Sequence, residues 1–571
     1  MGREALILCG TAKPSSRAKT WKFAQQVEVR FTGPHRTANL LLRDLTDKLL
    51  ANLPPVIADL VELAAYVYCA DQAVGRGGLA EFEYGTKWRR RFRFEVPVRC
   101  PDIWSQTTLS SQLAEVLGFL SDDDYEFSFC QLADPRGLDQ YLDLATEPLD
   151  GHAIDSVMLF SGGLDSFAGA VAETVTQGRR VALVSHRSVA KIDSRQKSLV
   201  EALRGRVART IAPLHIPVWV NQHGVGGTEF TQRSRSFLFS ALAAAVAAGC
   251  GVGSIRFYEN GVTSLNLSIC EQVVGGRATR TTHPKVMSGL AKLFGLIFET
   301  PIRVETPFSL LTKTEVAESL KTAGSADLAK HTVSCTRTID STKLHTHCGR
   351  CSQCIDRRFA ALAAGYGELD PPEMYATDLL TGPREKTEDR TMVERWVEMA
   401  NAIESIADCT QFLSRFPEVN DAIRYMGTNP DSSAEAAYQL LRRHAASVGG
   451  VLDGAIRRQA TALRRGELPP SSLLAMACQT RTRSSPPPKP SIPDPIANKE
   501  LAKLAKLLDA DAMSRSIRGA LRRAEMSVPI VGPGQDREWT HRMLRDAHEH
   551  LPMGKLRKLL EDSGLVNLTE T

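Results

Sequence analysis

VMLFSGGLDSFAGA, residues 157–170, decides the fold. A short β-rich run leads into Ser161-Gly162-Gly163-Leu164-Asp165-Ser166, and a helical stretch follows at once. Two adjacent glycines permit a tight turn and leave no side chain between backbone amides and a bound anion. The helix start adds unsatisfied N–H groups and the positive end of its dipole. Ser161 and Ser166 can donate hydroxyl hydrogen bonds to phosphate oxygens, and Asp165 can help hold Mg²⁺ directly or through water. A plain turn with a serine N-cap needs far less than this. The loop is not of the G-x-x-x-x-G-K-[ST] type, because no lysine follows the glycines.

Outward from the loop, VMLF, RVALVSH, HIPVWVN and SIRFYENG are β-rich runs. Between them lie helical stretches such as SRQKSLVEAL and RSFLFSALAAAVAAG. Strands alternating with helices predict βαβ units and a mostly parallel sheet covered on both faces, over residues 151–366. Residues 1–150 read as a small α+β domain. In KWRRRFRFEVPVRC, Phe92, Phe94, Val96 and Val98 alternate with Arg91, Arg93, Glu95 and Arg99, as in a half-buried strand. VIADLVELAAYVYCADQAV reads as a helix with one apolar face. Arg89-Arg90-Arg91 reads as a solvated strand face rather than a phosphate contact. Residues 367–479 are mainly helical in pattern. TRTRSSPPPKPSIPDP, 480–495, reads as a semi-rigid linker, and 496–571 as a helical segment for packing or protein contact.

The 571 residues, 43% hydrophobic and 24% charged, fit a globular chain of several domains. Lys plus Arg total 70 against 65 acids, a net +5 too weak to argue for nucleic acid. The last segment, 496–571, is no basic arm: it has 13 Lys/Arg and 11 Asp/Glu. No apolar run approaches the roughly 18–20 residues that span a bilayer. The start, MGREALILCGTAKPSS, lacks the layout of a secretory signal and the Ser or Thr of a myristoylation site. Thinly spread cysteines argue against a disulfide framework and for a reducing cytoplasm.

Four cysteines are not thinly spread. Cys335-x12-Cys348-x2-Cys351-x2-Cys354 can close a tetrahedral Zn²⁺ site, with Gly349 relaxing the backbone between ligands. Iron–sulfur ligation uses similar spacing and is one alternative, and free cysteines are the other. With four thiolates available, His331, His345 and His347 read as surface residues. A closed Cys₄ site has no open position, so its role is structural.

The SGGLDS loop resembles that of the PP-loop ATP pyrophosphatases. Joined to the cysteine cluster about 170 residues on, it resembles the 7-cyano-7-deazaguanine synthase (QueC) family of that superfamily. Ser334-Cys335 and Cys348-Gly349-Arg350-Cys351-x-x-Cys354-x-x-Arg357 follow the family pattern. QRSRSFLFSAL, with Arg233, resembles its R-N-x-x-F-L helix start, and TPFSLLTKTEV, with Lys313, its P-x-x-x-x-x-K-x-E segment. The resemblance covers about 155–366 and implies an α/β, parallel-sheet core of the adenine nucleotide alpha-hydrolase-like type. It further implies ATP as a substrate, the pyrophosphate held by residues 161–166, and catalytic roles for Asp165, Ser166, Arg233 and Lys313. The family adenylates 7-carboxy-7-deazaguanine, makes an amide with ammonia, and dehydrates it to a nitrile.

This chain departs from the family at three places. The Asn after the arginine is Ser234, SHRSVAKIDSRQ replaces a Y-G-Q-R-H-like run, and RATRTTHPKVM stands where a Y-P-D-C-R-like segment is usual. Arg280, Thr282 and His283 are the candidates there for holding a deazaguanine or its carboxylate. The long flanks resemble QueC-like proteins of bacterial antiphage operons, Qat-type or CBASS-type. They point to a ligase that stops at the amide and joins the group to a partner protein of the same operon. A free-metabolite nitrile synthase and a nucleotide-binding scaffold are the alternatives. tRNA thiolation would need cysteines that are already committed to metal.

Overall fold

A computed structural model describes residues 3–16, 21–33, 35–40, 53–76, 89–133, 153–187, 190–222, 229, 233–267, 280–337, 342 and 344–478. Contacts separate Met1–Phe82 with Thr86–Cys478 from Glu83–Gly85 with Gln479–Thr571. The second unit, including the expected linker and the segment after it, lies outside the described residues.

Among the described residues the strands are β1 Arg3–Cys9, β2 Gln25–Val29, β3 Ala38–Leu40, β4 Arg90–Val98, β5 Asp124–Gln131, β6 Ser156–Leu159, β7 Val181–Arg187, β8 Leu214–Gln222, β9 Ser254–Arg256 and β10 Arg303–Glu305. Among the described residues the helices of eight residues or more are α1 Pro55–Ala73, α2 Thr107–Ser121, α3 Leu164–Val171, α4 Ala190–Arg204, α5 Arg235–Gly249, α6 Pro284–Phe298, α7 Lys313–Thr322, α8 Ser352–Ala363, α9 Thr387–Glu404 and α10 Pro430–Arg465. No helix among the described residues is long and apolar enough to cross a membrane.

Two sheets form. One has the order β10-β9-β6-β7-β8-β3, with parallel pairing except where β3 meets β8 antiparallel. The parallel pairing follows the alternation of strands and helices, and apolar runs such as Val181 to Val184 suit burial on both faces. Winding runs one way from β6 through β7 to β8, then reverses to β9 and β10. The carboxyl ends of β6 and β9 therefore flank a topological switch point, where open α/β sheets bind their ligands.

The other sheet has the order β2-β1-β4-β5 and is parallel throughout, an α/β arrangement where the alternation had suggested α+β. Helix α1 explains the difference. Of its 19 residues, 15 are buried, Asp59 and Asp71 among them, so it is enclosed on nearly every side rather than on one face. It packs on β2, β3, β4 and β8 and on the alanine-rich α5. One apolar core accordingly takes Ile7, Leu60, Phe92 and Phe94 together with Val184, Ile216, Leu242 and Phe294.

The arginine run is also not uniformly solvated. Arg89 and Arg91 are exposed, but Arg90 is buried, pairing with Asp71 at 2.5 Å and Asp123 at 2.7 Å. A second core, built on Phe160, Phe167, Leu183 and Val316, lies beneath the 161–166 loop. A third joins Ile355 and Phe359 of α8 to Trp396 of α9 and to Tyr438 and Leu441 of α10.

Candidate active site

The loop after β6 turns at Gly162, whose φ of +81° is a conformation glycine adopts without strain. Ser161 Oγ and Ser166 Oγ lie 3.0 Å apart, and the Gly163 amide donates to Ser161 Oγ at 3.3 Å. The Leu164 amide donates to Ser334 Oγ at 3.4 Å, from far along the chain. Helix α3 starts at Leu164 and runs tight against Tyr258: a Cβ on Gly169 would come within 2.1 Å of that ring. Tyr258 is held in turn by its hydroxyl donating to the buried Glu173.

Behind the loop is a buried charge cluster. Asp165 Oδ2 accepts from the Asn260 amide at 3.2 Å and from Asn260 Nδ2 at 2.8 Å, and meets Lys313 Nζ at 3.3 Å. Lys313 Nζ also meets Asp356 Oδ2 at 3.1 Å. Burial opposes the ammonium charge, but Asp165, Asp356 and Glu259 outweigh it and raise the pKa. Lys313 opens α7, where Thr312 and Glu315 form a capping box. Glu315 also pairs with Arg443 of α10 at 2.7 Å. His444 of α10 is near Asp356 and Lys313, and burial lowers its pKa.

Glu259 lies just beyond the carboxyl end of β9, beside this cluster. Its Oε2 accepts the Thr282 hydroxyl at 3.0 Å. Burial, then the charge of Asp165, push its pKa from 4.5 up to about 7, against the pull of Lys313. The folded state thus holds this proton more tightly than the unfolded chain. The resulting stability is present below pH 4.5 and is lost as pH rises through about 7. Urea midpoints of the wild type should accordingly fall between pH 4.5 and 7.5 more steeply than those of Glu259→Gln. Parallel curves would exclude Glu259 as the titrating group.

The cysteine cluster is a compact ligand set. One sulfur from each of Cys335, Cys348, Cys351 and Cys354 lies within 4.8 Å of the others, and all four residues are buried. The Arg350 and Cys351 amides donate to Cys348 Sγ at 3.4 and 3.3 Å, an arrangement that favours a thiolate. Gly349 has φ +73°, and a Cβ there would come within 1.8 Å of the Thr377 carbonyl, so the turn requires glycine. Four buried thiols with no other donor fit Zn²⁺.

The cluster is tied to the loop. The Val333 amide donates to Gly162 O at 3.0 Å. Arg357 holds the segment that leads to Cys335, donating to Thr332 Oγ1 at 2.6 Å and to Ala329 O at 3.0 Å while pairing with Asp370 at 2.8 Å. His347 is fully buried, not a surface residue as its sequence context suggested. Its Nε2 accepts the Ser334 amide at 3.4 Å, and its ring stacks on Tyr375.

The structure thus brings Asp165 and Lys313 together and adds Thr282 through Glu259. Arg233 is placed differently. It is 2% exposed and donates to Ser121 O, and its charged neighbours include Arg76, Asp122, Arg280 and Asp123. Burial, then Arg76, lower its pKa to about 10. Ser234 follows Arg233, and its amide and hydroxyl donate to Asp71 Oδ2 at 2.9 and 2.8 Å. Arg280, His283 and Lys285 gather around Phe119 of α2. His283 caps α6, its Nδ1 accepting the Lys285 amide, and burial lowers its pKa to about 4. Sequence reasoning missed Glu259, Asn260, Asp356 and the contact made by Ser334. Asn260 follows a β-rich run at the carboxyl end of a sheet strand, a placement that could have drawn attention to it.

No curated protein matches the chain. A family model described as queuosine biosynthesis protein QueC matches residues 279–365. Over that span the chain is similar to QueC, and the span holds Lys313, Asp356 and all four clustered cysteines, while the 161–166 loop precedes it.

Proposed function

We propose that this chain is an ATP-dependent carbon–nitrogen ligase of QueC type. It adenylates the carboxylate of a 7-deazaguanine, releases pyrophosphate, and passes the acyl group to an amine with loss of AMP and a proton. The observation that carries this reading is the SGGLDS loop at the switch-point end of β6, backed by Lys313 from the QueC-like span. The loop amides and serine hydroxyls bind the phosphates, and adenylation turns a poor leaving oxide into AMP. The chain itself supplies position and fixed positive partners. Asp165 Oδ1 is buried without a hydrogen-bond partner, which fits a carboxylate oxygen reserved for Mg²⁺. Bound there, Mg²⁺ would neutralise phosphate charge. Arg280, Thr282 and His283 are the proposed substrate side of the site, with Thr282 the best placed through Glu259.

The acceptor we propose is an amine of a partner protein from the same operon, in antiphage defence. The QueC-like core, 151–366, is well under half of the 571 residues, and free-metabolite chemistry does not require the remainder. A near-neutral charge favours a protein partner over nucleic acid. The match to a queuosine biosynthesis family supports a second reading, the free-metabolite nitrile synthase.

Purified chain with ATP, Mg²⁺ and 7-carboxy-7-deazaguanine should release pyrophosphate, and Asp165→Ala should slow release by about 100-fold or more. A mass increase on the partner protein, without nitrile, supports the ligase. A nitrile formed from ammonia supports the synthase. No ATP turnover with any carboxylate sinks both and leaves a scaffold role.

A further inference from the structure

Two backbone amides at the mouth of the loop donate to serine oxygens. Gly163 N donates to Ser161 Oγ at 3.3 Å, and Leu164 N donates to Ser334 Oγ at 3.4 Å. Both bonds are long for N–H···O, so a charged oxygen at about 2.8 Å would displace either. Ser161 belongs to the loop. Ser334 comes from 170 positions further along the chain and is neither a loop residue nor a cysteine ligand.

Its position is fixed from two sides. The preceding residue, Val333, donates to Gly162 O at 3.0 Å, and the Ser334 amide donates to His347 Nε2 at 3.4 Å. The next residue is Cys335 of the cysteine cluster. The direction in which a Cβ of Gly163 would point is bounded by Ser161 Oγ at 3.4 Å, Ser334 Oγ at 3.8 Å and Val333 O at 3.8 Å. The two hydroxyls thus face one small space in front of Gly163. Ser161 is exposed and Ser334 half-buried, so that space is open to solvent.

We propose that Ser334 is a phosphate-binding residue of the loop. Without nucleotide its hydroxyl oxygen accepts the Leu164 amide. With nucleotide bound it rotates and donates to a phosphoryl oxygen, leaving the Leu164 amide to do the same. A serine hydroxyl can fill both roles, because it carries one donor and two acceptor lone pairs. The ligand class is a pyrophosphate or the triphosphate of ATP, and the inference rests on the nucleotide-binding reading above. The cysteine cluster then does more than stabilise the fold: it sets where one of the phosphate-binding hydroxyls stands.

The test is calorimetric titration of the full chain with magnesium pyrophosphate and with ATP. Ser334→Ala should weaken both by about 10-fold, the loss of one hydrogen bond to a charged group. Its bound metal per chain and unfolding midpoint should match the wild type, and Ser334→Thr, which keeps a hydroxyl, should regain most of the affinity. Coupling between sites is reciprocal. Pyrophosphate should therefore slow removal of the metal by a chelator in the wild type, and less so in Ser334→Ala. Unchanged affinity in Ser334→Ala with full metal content overturns the proposal. So does a loss of affinity that accompanies loss of metal, or Ser334→Thr with full metal and no recovery. A wild type that binds neither pyrophosphate nor ATP removes the nucleotide-binding reading, and this inference with it.

Discussion

Replacing Lys313 with methionine should lower folding stability by about 3–5 kcal/mol, the usual effect of stranding buried charges, and should abolish pyrophosphate release. Lys313 is 3% exposed and stands between Asp165 and Asp356, at 3.3 and 3.1 Å. Without its ammonium, two buried carboxylates and the nearby Glu259 would face one another uncompensated. Each of the two aspartates already has one oxygen, Oδ1, that is buried without a hydrogen-bond partner. Removing the neighbouring Glu315 serves as a contrast. Glu315→Ala loses half a capping box and a pair to the 45% exposed Arg443, so about 1–2 kcal/mol is expected. Urea denaturation separates the two magnitudes. Adding Asp356→Asn to Lys313→Met should restore part of the stability but not the pyrophosphate release. An additive double variant would mean that the two side chains do not interact.

Cys351→Ser should remove the metal and lower the thermal midpoint by roughly 10 °C or more, because structural zinc binding is also folding free energy. It should also lose ATP affinity, since Val333 and Ser334 reach Gly162 and Leu164 from the residues next to Cys335. Exposed Cys130 is the control: Cys130→Ser should leave metal content, midpoint and ATP affinity unchanged. Metal analysis with melting and titration checks all three. A Cys351→Ser variant that binds ATP like the wild type would mean that the cluster does not position the loop.

The features legible in the sequence are those written in contiguous residues. A strand, two glycines, flanking serines and a helix start specify a tight strand-to-helix turn, and four closely spaced cysteines specify a compact ligand set. Strand–helix alternation specified the parallel sheet. What escaped was decided by distant parts of the chain. Period-two alternation in β4 is the same whether its neighbours run parallel or antiparallel, so the first sheet's topology was hidden. Asp356 reads as one acid on a helix, and only the placement of α8 brings it to Lys313. Arg233 fitted a family motif, yet its burial near Ser121 depends on the first 130 residues. His347 looked like a surface histidine because no local pattern announces a ring stacked on Tyr375.

Strand β3 has a consequence for synthesis on the ribosome. Its partners in β8, Val220 to Gln222, emerge about 180 residues later than Ala38 to Leu40. At roughly 5–20 residues per second that delay is on the order of 10–40 s. During it Ala38 to Leu40 lack the strand they pair with in the finished fold, and their backbone groups are open to water or to another chain. Anything that slows elongation before residue 222 lengthens that exposure, so yield should depend on the rate of translation as well as on final stability.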